Sequence, residues 1–289
     1  MSHGRLKADR ARRARYNRRV SERDEGFQPI GVFDSGIGGL TVLRALLERL
    51  PAESFVYLGD TAKVPYGNKS AATVTRYALE NTLFLLQKGV KAIVVACNTV
   101  SATCLDLLST SFRAPVVGVI APAASEAARR TRTRHVAVIG TAGTIASGAY
   151  ERALKSIDPG MRTTGVACPL FVPLVEEGYT EHPMTALAVT EYLEPLRGTD
   201  IDTLILACTH YPFLRAAISA YLGPGVALVD SGPATANDVI QVLEQRGLCT
   251  RAPAPGRVTY YLSDFQPRFR PLGERFLGRP VEPVEVVSI

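Results

Sequence analysis

Two short apolar runs, Lys91-Ala-Ile-Val-Val-Ala-Cys97-Asn98-Thr99 and Asp202-Thr-Leu-Ile-Leu-Ala-Cys208-Thr209-His210, restrict the architecture more than anything else in the chain. Aliphatic and β-branched runs this short, closed by small polar residues, predict parallel strands buried on both faces. Each run ends in a cysteine. Both thiols are thereby placed at the carboxyl edge of a sheet, where open α/β sheets bind ligands. Two thiols facing one pocket have the means to pass a proton across a stereocentre.

The rest of the chain alternates in the same manner. Besides the two strands ending in Cys97 and Cys208, strands are expected at 30–34, 55–59, 115–119, 135–140, 163–167, 226–229 and 257–262. Helices are expected at 40–50, 70–88, 145–157, 184–196, 213–222, 233–246 and 269–277, with others after Cys97 and near Pro122. This alternation is the pattern of parallel α/β architecture. The order of elements around Cys97 recurs around Cys208, 111 residues later, and Gly118-Val-Ile-Ala-Pro-Ala-Ala is echoed by Val229-Asp-Ser-Gly-Pro-Ala-Thr. The reading is a duplication. It gives an α/β fold of two pseudo-symmetric lobes, each a mainly parallel sheet flanked by helices, with the active site in the cleft between them. Residues 29–121 with 230–289 form the first lobe in this reading, 122–229 the second, and 1–28 a basic, disordered arm.

The arm accounts for the charge of the chain. The net charge is +6, but residues 1–20 hold eight Lys or Arg against Asp9 alone and carry +7, so the remainder sums to −1. Basic arms can bind nucleic acid. Residues 1–20 have low hydrophobicity and Tyr16 as their one aromatic residue, so the segment reads as a solvated tail, and nucleic acid is not an expected partner. No run reaches the roughly 18 apolar residues of a membrane span. The leader lacks the apolar core of a secretory signal and is poor in serine for a transit peptide. Five cysteines, two of them at strand ends, do not suit a disulfide framework, and the expected compartment is the reducing cytoplasm.

A cysteine in an apolar strand is by default a small hydrophobe. Cys97 and Cys208 depart from that default because hydrogen-bonding side chains follow each: Asn98 and Thr99 in one case, Thr209 and His210 in the other. Each also falls where the N–H groups of a following helix can stabilise a thiolate. His210 is a candidate proton-transfer partner for Cys208. Asp34 ends the first strand in Phe33-Asp34-Ser35-Gly36-Ile37-Gly38-Gly39, where a carboxylate can orient a thiol or receive an ammonium group. The glycines there let backbone approach a ligand. Thr41 takes the place of the third glycine of the dinucleotide fingerprint, so no nicotinamide cofactor is expected. There is no P-loop, no serine nucleophile elbow and no Cys/His spacing of a zinc site, and no metal is expected. Cys104, Cys168 and Cys249 are weaker candidates.

Taken together the motifs resemble those of the glutamate racemases, cofactor-independent amino-acid racemases that supply D-glutamate for peptidoglycan. The resemblance runs from Pro29 past Ser231. It rests on Gly31-Val-Phe-Asp34-Ser35-Gly-Ile-Gly-Gly-Leu-Thr, Gly59-Asp-Thr with Pro65-Tyr66-Gly67, Ala96-Cys97-Asn98-Thr99, Cys168-Pro-Leu-Phe-Val-Pro-Leu-Val-Glu176, and Cys208-Thr209-His210-Tyr-Pro-Phe-Leu. Val100 stands where the family pattern carries an alanine. The resemblance implies two-base proton transfer, with Cys97 acting on D-glutamate, Cys208 on L-glutamate, Asp34 assisting Cys97, and His210 and Glu176 assisting Cys208. It implies substrate contacts from Asp34, Ser35, Tyr66, Gly67, Asn98, Thr99, Thr209 and His210, with Thr141 and Thr144 near the side-chain carboxylate. No cofactor, a cytoplasmic location and a homodimer are also implied. The competing readings are a sister racemase acting on aspartate or another small dicarboxylate, a non-catalytic amino-acid sensor, and a nucleic-acid-associated protein. Retention of both thiols and both helper groups argues against a purely binding role.

Overall fold

The computed structural model describes residues 26–252, 255–265 and 269–289; the charged part of the predicted arm lies outside them. Strands β1 (Ile30–Asp34), β2 (Phe55–Gly59), β3 (Ala92–Val95), β4 (Val116–Gly118), β9 (Val258–Leu262) and β10 (Val284–Val286) form one sheet, in the order β10-β9-β2-β1-β3-β4. Strands β5 (His135–Gly140), β6 (Arg162–Ala167), β7 (Thr203–Ala207) and β8 (Ala227–Asp230) form a second, in the order β6-β5-β7-β8. Every pairing is parallel. Without β9 and β10 the two orders are the same, β2-β1-β3-β4 against β6-β5-β7-β8, and the α/β fold of two helix-flanked parallel sheets is as expected.

The helices are α1 (Leu40–Arg49), α2 (Ala71–Gln87), α3 (Asn98–Ser111), α4 (Ile120–Arg130), α5 (Ala142–Ala146), α6 (Ala149–Ile157), α7 (Phe171–Glu176), α8 (Pro183–Leu193), α9 (Arg215–Leu222), α10 (Ser231–Arg246) and α11 (Phe269–Leu277). Period-2 alternation in the first sheet sends Phe33, Leu58, Ile93 and Val95 into one core and Val32, Tyr57 and Val94 into the other. Each such buried side chain contributes about 1.5–3 kcal/mol. Leu40, Leu43 and Leu46 give α1 its buried face. Two helices tie the sheets together: α4 leaves β4 of the first sheet to pack on β7 and β8, and α10 leaves β8 to pack on α1 and β4. Among the described residues no helix is long and apolar enough to cross a membrane.

Three local features differ from the sequence reading. The single helix expected at 145–157 is two, α5 and α6, because Gly148 adopts a left-handed φ of 63° and ends the first. Thr141 caps α5 by accepting the Thr144 N–H at 3.3 Å. The short helix α7 and the three-residue strand β10 were not expected: one carries Pro173 in its only turns, and the other is too short to show a period.

What matters for function is where strand order reverses. In the first sheet this happens between β1 and β3, in the second between β5 and β7. Helices leaving neighbouring strands at such a point diverge to opposite faces and open a crevice at the carboxyl edge. Asp34 and the segment holding Cys97 end the strands at the first crevice; Gly140 and the segment holding Cys208 end those at the second.

Candidate active site

The two crevices meet in one cavity of about 430 Å³, lined by both Cys97 and Cys208. Ser35, Tyr66, Gly67, Asn98, Thr99, Glu176, Thr209 and His210 line it as well. Asp34 and Thr144 do not, nor do the weaker candidates Cys104, Cys168 and Cys249.

Cys97 is the N-cap residue of α3 and is 5% exposed. Its Sγ lies 3.6 Å from Ser35 Oγ. Burial and the charge of Asp34 push this thiol up to about 12, against the lowering effect of the Val100 and Ser35 N–H groups. Cys97 is a neutral thiol at pH 7. Asp34 is 1% exposed; its Oδ2 accepts the Gly36 N–H at 2.9 Å, and its Oδ1 has no partner among the described residues. Burial raises the Asp34 carboxyl above the ordinary range, opposed by the positive charge of His210 and the loop N–H groups.

Cys208 is set up differently. Its Sγ lies 3.9 Å from His210 Nδ1, and His210 Nε2 donates to Glu176 Oε1 at 2.9 Å. Burial by itself lowers the imidazolium, but the hydrogen bonds with Cys208 and Glu176 outweigh it and His210 is pushed up to about 10. A protonated His210 supplies the cationic partner that a thiolate at Sγ requires. The geometry therefore pairs a buried neutral thiol on one side with a thiol in contact with a His210–Glu176 pair on the other.

The motif from Cys168 to Glu176 acts in this chain by position. The Tyr211 hydroxyl donates to the Cys168 carbonyl at 2.8 Å, and Phe171 packs edge-to-face on Tyr211 and Tyr192 with ring centroids 5.2 and 5.4 Å apart. These contacts fix α7, and Glu176 at its end reaches His210. The glycines of the 36–39 loop divide their work. Gly36 lines the cavity, but a Cβ on Gly38 would fall 2.1 Å from Thr209 Oγ1 and 2.6 Å from His210 Nδ1, and one on Gly39 would fall 2.5 Å from Asp34 Cβ. The latter two glycines admit protein side chains, where the sequence reading had assigned them to a ligand.

Hydroxyls and amides gather around Asn98, Thr99 and Tyr66. Thr99 Oγ1 lies 3.0 Å from Thr141 Oγ1 and 3.4 Å from Thr144 Oγ1. The Tyr66 hydroxyl is committed to Asp60, and receives Asn81 Nδ2 at 3.2 Å. Asn98 Nδ2 is buried with no partner among the described residues. Among those residues no group of three or more His, Cys, Asp or Glu side chains could hold a metal ion. Two contributors were missed in the sequence. Phe276 of α11 packs edge-to-face on His210 at 5.2 Å, and Tyr150 of α6 bonds Asn98. Both sit in apolar helical patterns that read as ordinary core, so no local signal marked them.

Residues 30–239 match the Asp/Glu/hydantoin racemase family. The chain belongs to this family. The glutamate racemase of Syntrophus aciditrophicus (strain SB) is 48% identical over 261 residues, 90% of this chain and 97% of that one. Glutamate racemase isoform RacE1 from Bacillus anthracis has a TM-score of 0.87 at 37% identity, covering 91% of this chain and 98% of the other. The glutamate racemase of Francisella tularensis subsp. tularensis SCHU S4, solved in complex with D-glutamate, has a TM-score of 0.86 at 36% identity, with the same coverage. This racemase is an isomerase, as the resemblance of its motifs implied, and it shares the two-lobed architecture of these relatives.

Proposed function

We propose that the chain interconverts L- and D-glutamate by passing the α-proton between two bases, Cys97 and Cys208, without a cofactor. The observation that carries the reading is the single cavity lined by both thiols, each at the switch point of its own sheet. Cys208, paired with His210, removes the α-proton of L-glutamate while the Cys97 thiol donates to the opposite face; in reverse, Cys97, assisted by Asp34, takes the proton of D-glutamate. Glu176 holds His210 in its charged state. The free enzyme with a neutral Cys97 and a charged His210 is the form ready for L-glutamate.

The chemistry is demanding because an α-proton beside a carboxylate is scarcely acidic. Fixing both thiols against one carbon removes roughly 7–11 kcal/mol of barrier through proximity and orientation. A preorganised donor aimed at the developing charge contributes about 3–4 kcal/mol more. Ser35, Gly67, Asn98, Thr99, Thr141 and Thr209 are such donors at the cavity wall, with Thr144 in contact with Thr141, and Tyr66 contributes its ring and backbone. Both effects are strongest in a closed, dry cleft, so the lobes, 29–121 with 230–289 and 122–229, close over substrate. D-glutamate made in this way serves peptidoglycan synthesis in the cytoplasm, and the active unit is a homodimer.

Aspartate is the competing substrate and is shorter by one methylene, a difference worth about 1–3 kcal/mol in a fitted pocket. The purified protein, dialysed against a chelator and supplied with no cofactor, is expected to racemise L-glutamate at least about tenfold faster than L-aspartate at equal concentration. Faster turnover of aspartate, or none of either, overturns the proposal.

A further inference from the structure

We infer that Tyr150 is a positioning residue that turns the Asn98 amide so that its NH2 group, and not its carbonyl, faces the substrate. The inference rests on the racemase reading above and adds to it a residue outside the cavity wall. A buried asparagine can present either end to its surroundings, and only its hydrogen-bond partners decide which. Here the partner is a tyrosine hydroxyl, which donates to Asn98 Oδ1 at 2.6 Å. Asn98 and Tyr150 are each 3% exposed, so water does not relax the choice.

Two further observations fix the direction of that bond. The Tyr150 hydroxyl has no other acceptor among the described residues, so rotating the amide would leave a buried O–H facing an NH2 group with nothing to accept it. Burial and the negative charges of Cys208 and Asp230 also push the phenol above its ordinary value, which keeps the proton in place to be donated. With Oδ1 held from behind, Asn98 Nδ2 is left buried and unpartnered at a residue that lines the cavity. An amide with two free N–H bonds in a buried pocket calls for a carboxylate oxygen, the acceptor that an amino-acid substrate carries.

The contact also crosses between the sheets. Asn98 opens α3, directly after Cys97, whereas Tyr150 lies on α6 with its ring in the core formed by Ala124, Val138, Leu154 and Ile205. The donor face of one lobe is thus set by a side chain anchored in the other.

Tyr150→Phe removes the hydroxyl and keeps the ring in its core. Its expected effect is a rise of about tenfold in KM for both enantiomers, with kcat within about threefold of the parent and Tm lower by no more than a few degrees. Asn98→Ala should raise KM by a similar factor, and adding Tyr150→Phe to it should change nothing further. Asn98→Asp supplies a second test, since it keeps an acceptor for the tyrosine but presents a carboxyl oxygen to the substrate; KM should rise by about 100-fold or more, with circular dichroism checking that the fold is kept. An unchanged KM in Tyr150→Phe, a double variant showing the full product of the single effects, or normal substrate binding in Asn98→Asp would each overturn the assignment. Failure of the racemase reading would be seen separately, as absence of racemisation in the unaltered protein. Calorimetric titration with D-glutamate tests the Tyr150–Asn98 coupling in either case.

Discussion

Cys97→Ala and Cys208→Ala are each expected to lower racemisation by about 10⁴-fold, the upper end of what one positioned acid–base group contributes. The loss should be the same whichever enantiomer is supplied. L- and D-glutamate have equal free energies, so kcat/KM in the two directions must be identical for every variant, however unequal the two thiols are. The inequality shows instead in kcat and KM taken singly, because the free enzyme favours the form with a neutral Cys97 and a charged His210. Each thiol is nearly buried and loses a single heavy atom, so the cost in stability should be about 1 kcal/mol. A fall of a few degrees in Tm with activity gone is the expected pattern, read by differential scanning calorimetry and polarimetry. Full activity in either variant removes that thiol from the mechanism.

Gly38→Ala is the second large effect. The added methyl would sit 2.1 Å from Thr209 Oγ1 and 2.6 Å from His210 Nδ1 and Cε1, far inside van der Waals contact. Neither neighbour can yield freely. Thr209 is held through its carbonyl, which accepts the Thr41 hydroxyl at 3.2 Å, and His210 is held between Cys208, Glu176 and Phe276. The methyl must therefore push apart the 36–39 loop and the Thr209–His210 turn, one from each sheet. A displacement of about 1 Å in a proton-transfer geometry costs about 10²-fold in rate. The expected result is a drop in kcat of that order or more, with a loss of about 1–3 kcal/mol in stability from overpacking. Gly89→Ala is the matched control, because that glycine has open space around its Cβ position and lies outside the cavity lining. Only its left-handed φ of 72° should cost stability, and activity should persist.

The sequence carried the architecture well because buried parallel strands leave a strong signature. The runs ending at Asp34, Cys97 and Cys208 were legible as strand ends, and strand ends at the carboxyl edge are where α/β sheets place ligands. That the two thiols share one cavity was an expectation from repeated order, and the matching strand orders of the sheets show its physical origin. His210 could be proposed from its spacing to Cys208. Glu176, 34 residues earlier and on a helix that was not expected, could be named only through the resemblance. Tyr150 and Phe276 were illegible for a different reason: a polar or aromatic contact between distant helices has no period of its own. The role of Gly38 was misjudged in kind, since close approach by a ligand and by a histidine from the other sheet look alike in one dimension.

The central claim, that two separate bases act on opposite faces of one carbon, is tested most directly by running the reaction in deuterium oxide and following label at Cα during early turnover. With Cys97 and Cys208 as distinct donors, the proton taken from one face is not the one returned to the other. The product enantiomer should carry solvent deuterium at Cα while the recovered starting enantiomer stays largely unlabelled. Equal early labelling of both enantiomers would mean that one base serves both faces, and would contradict the account.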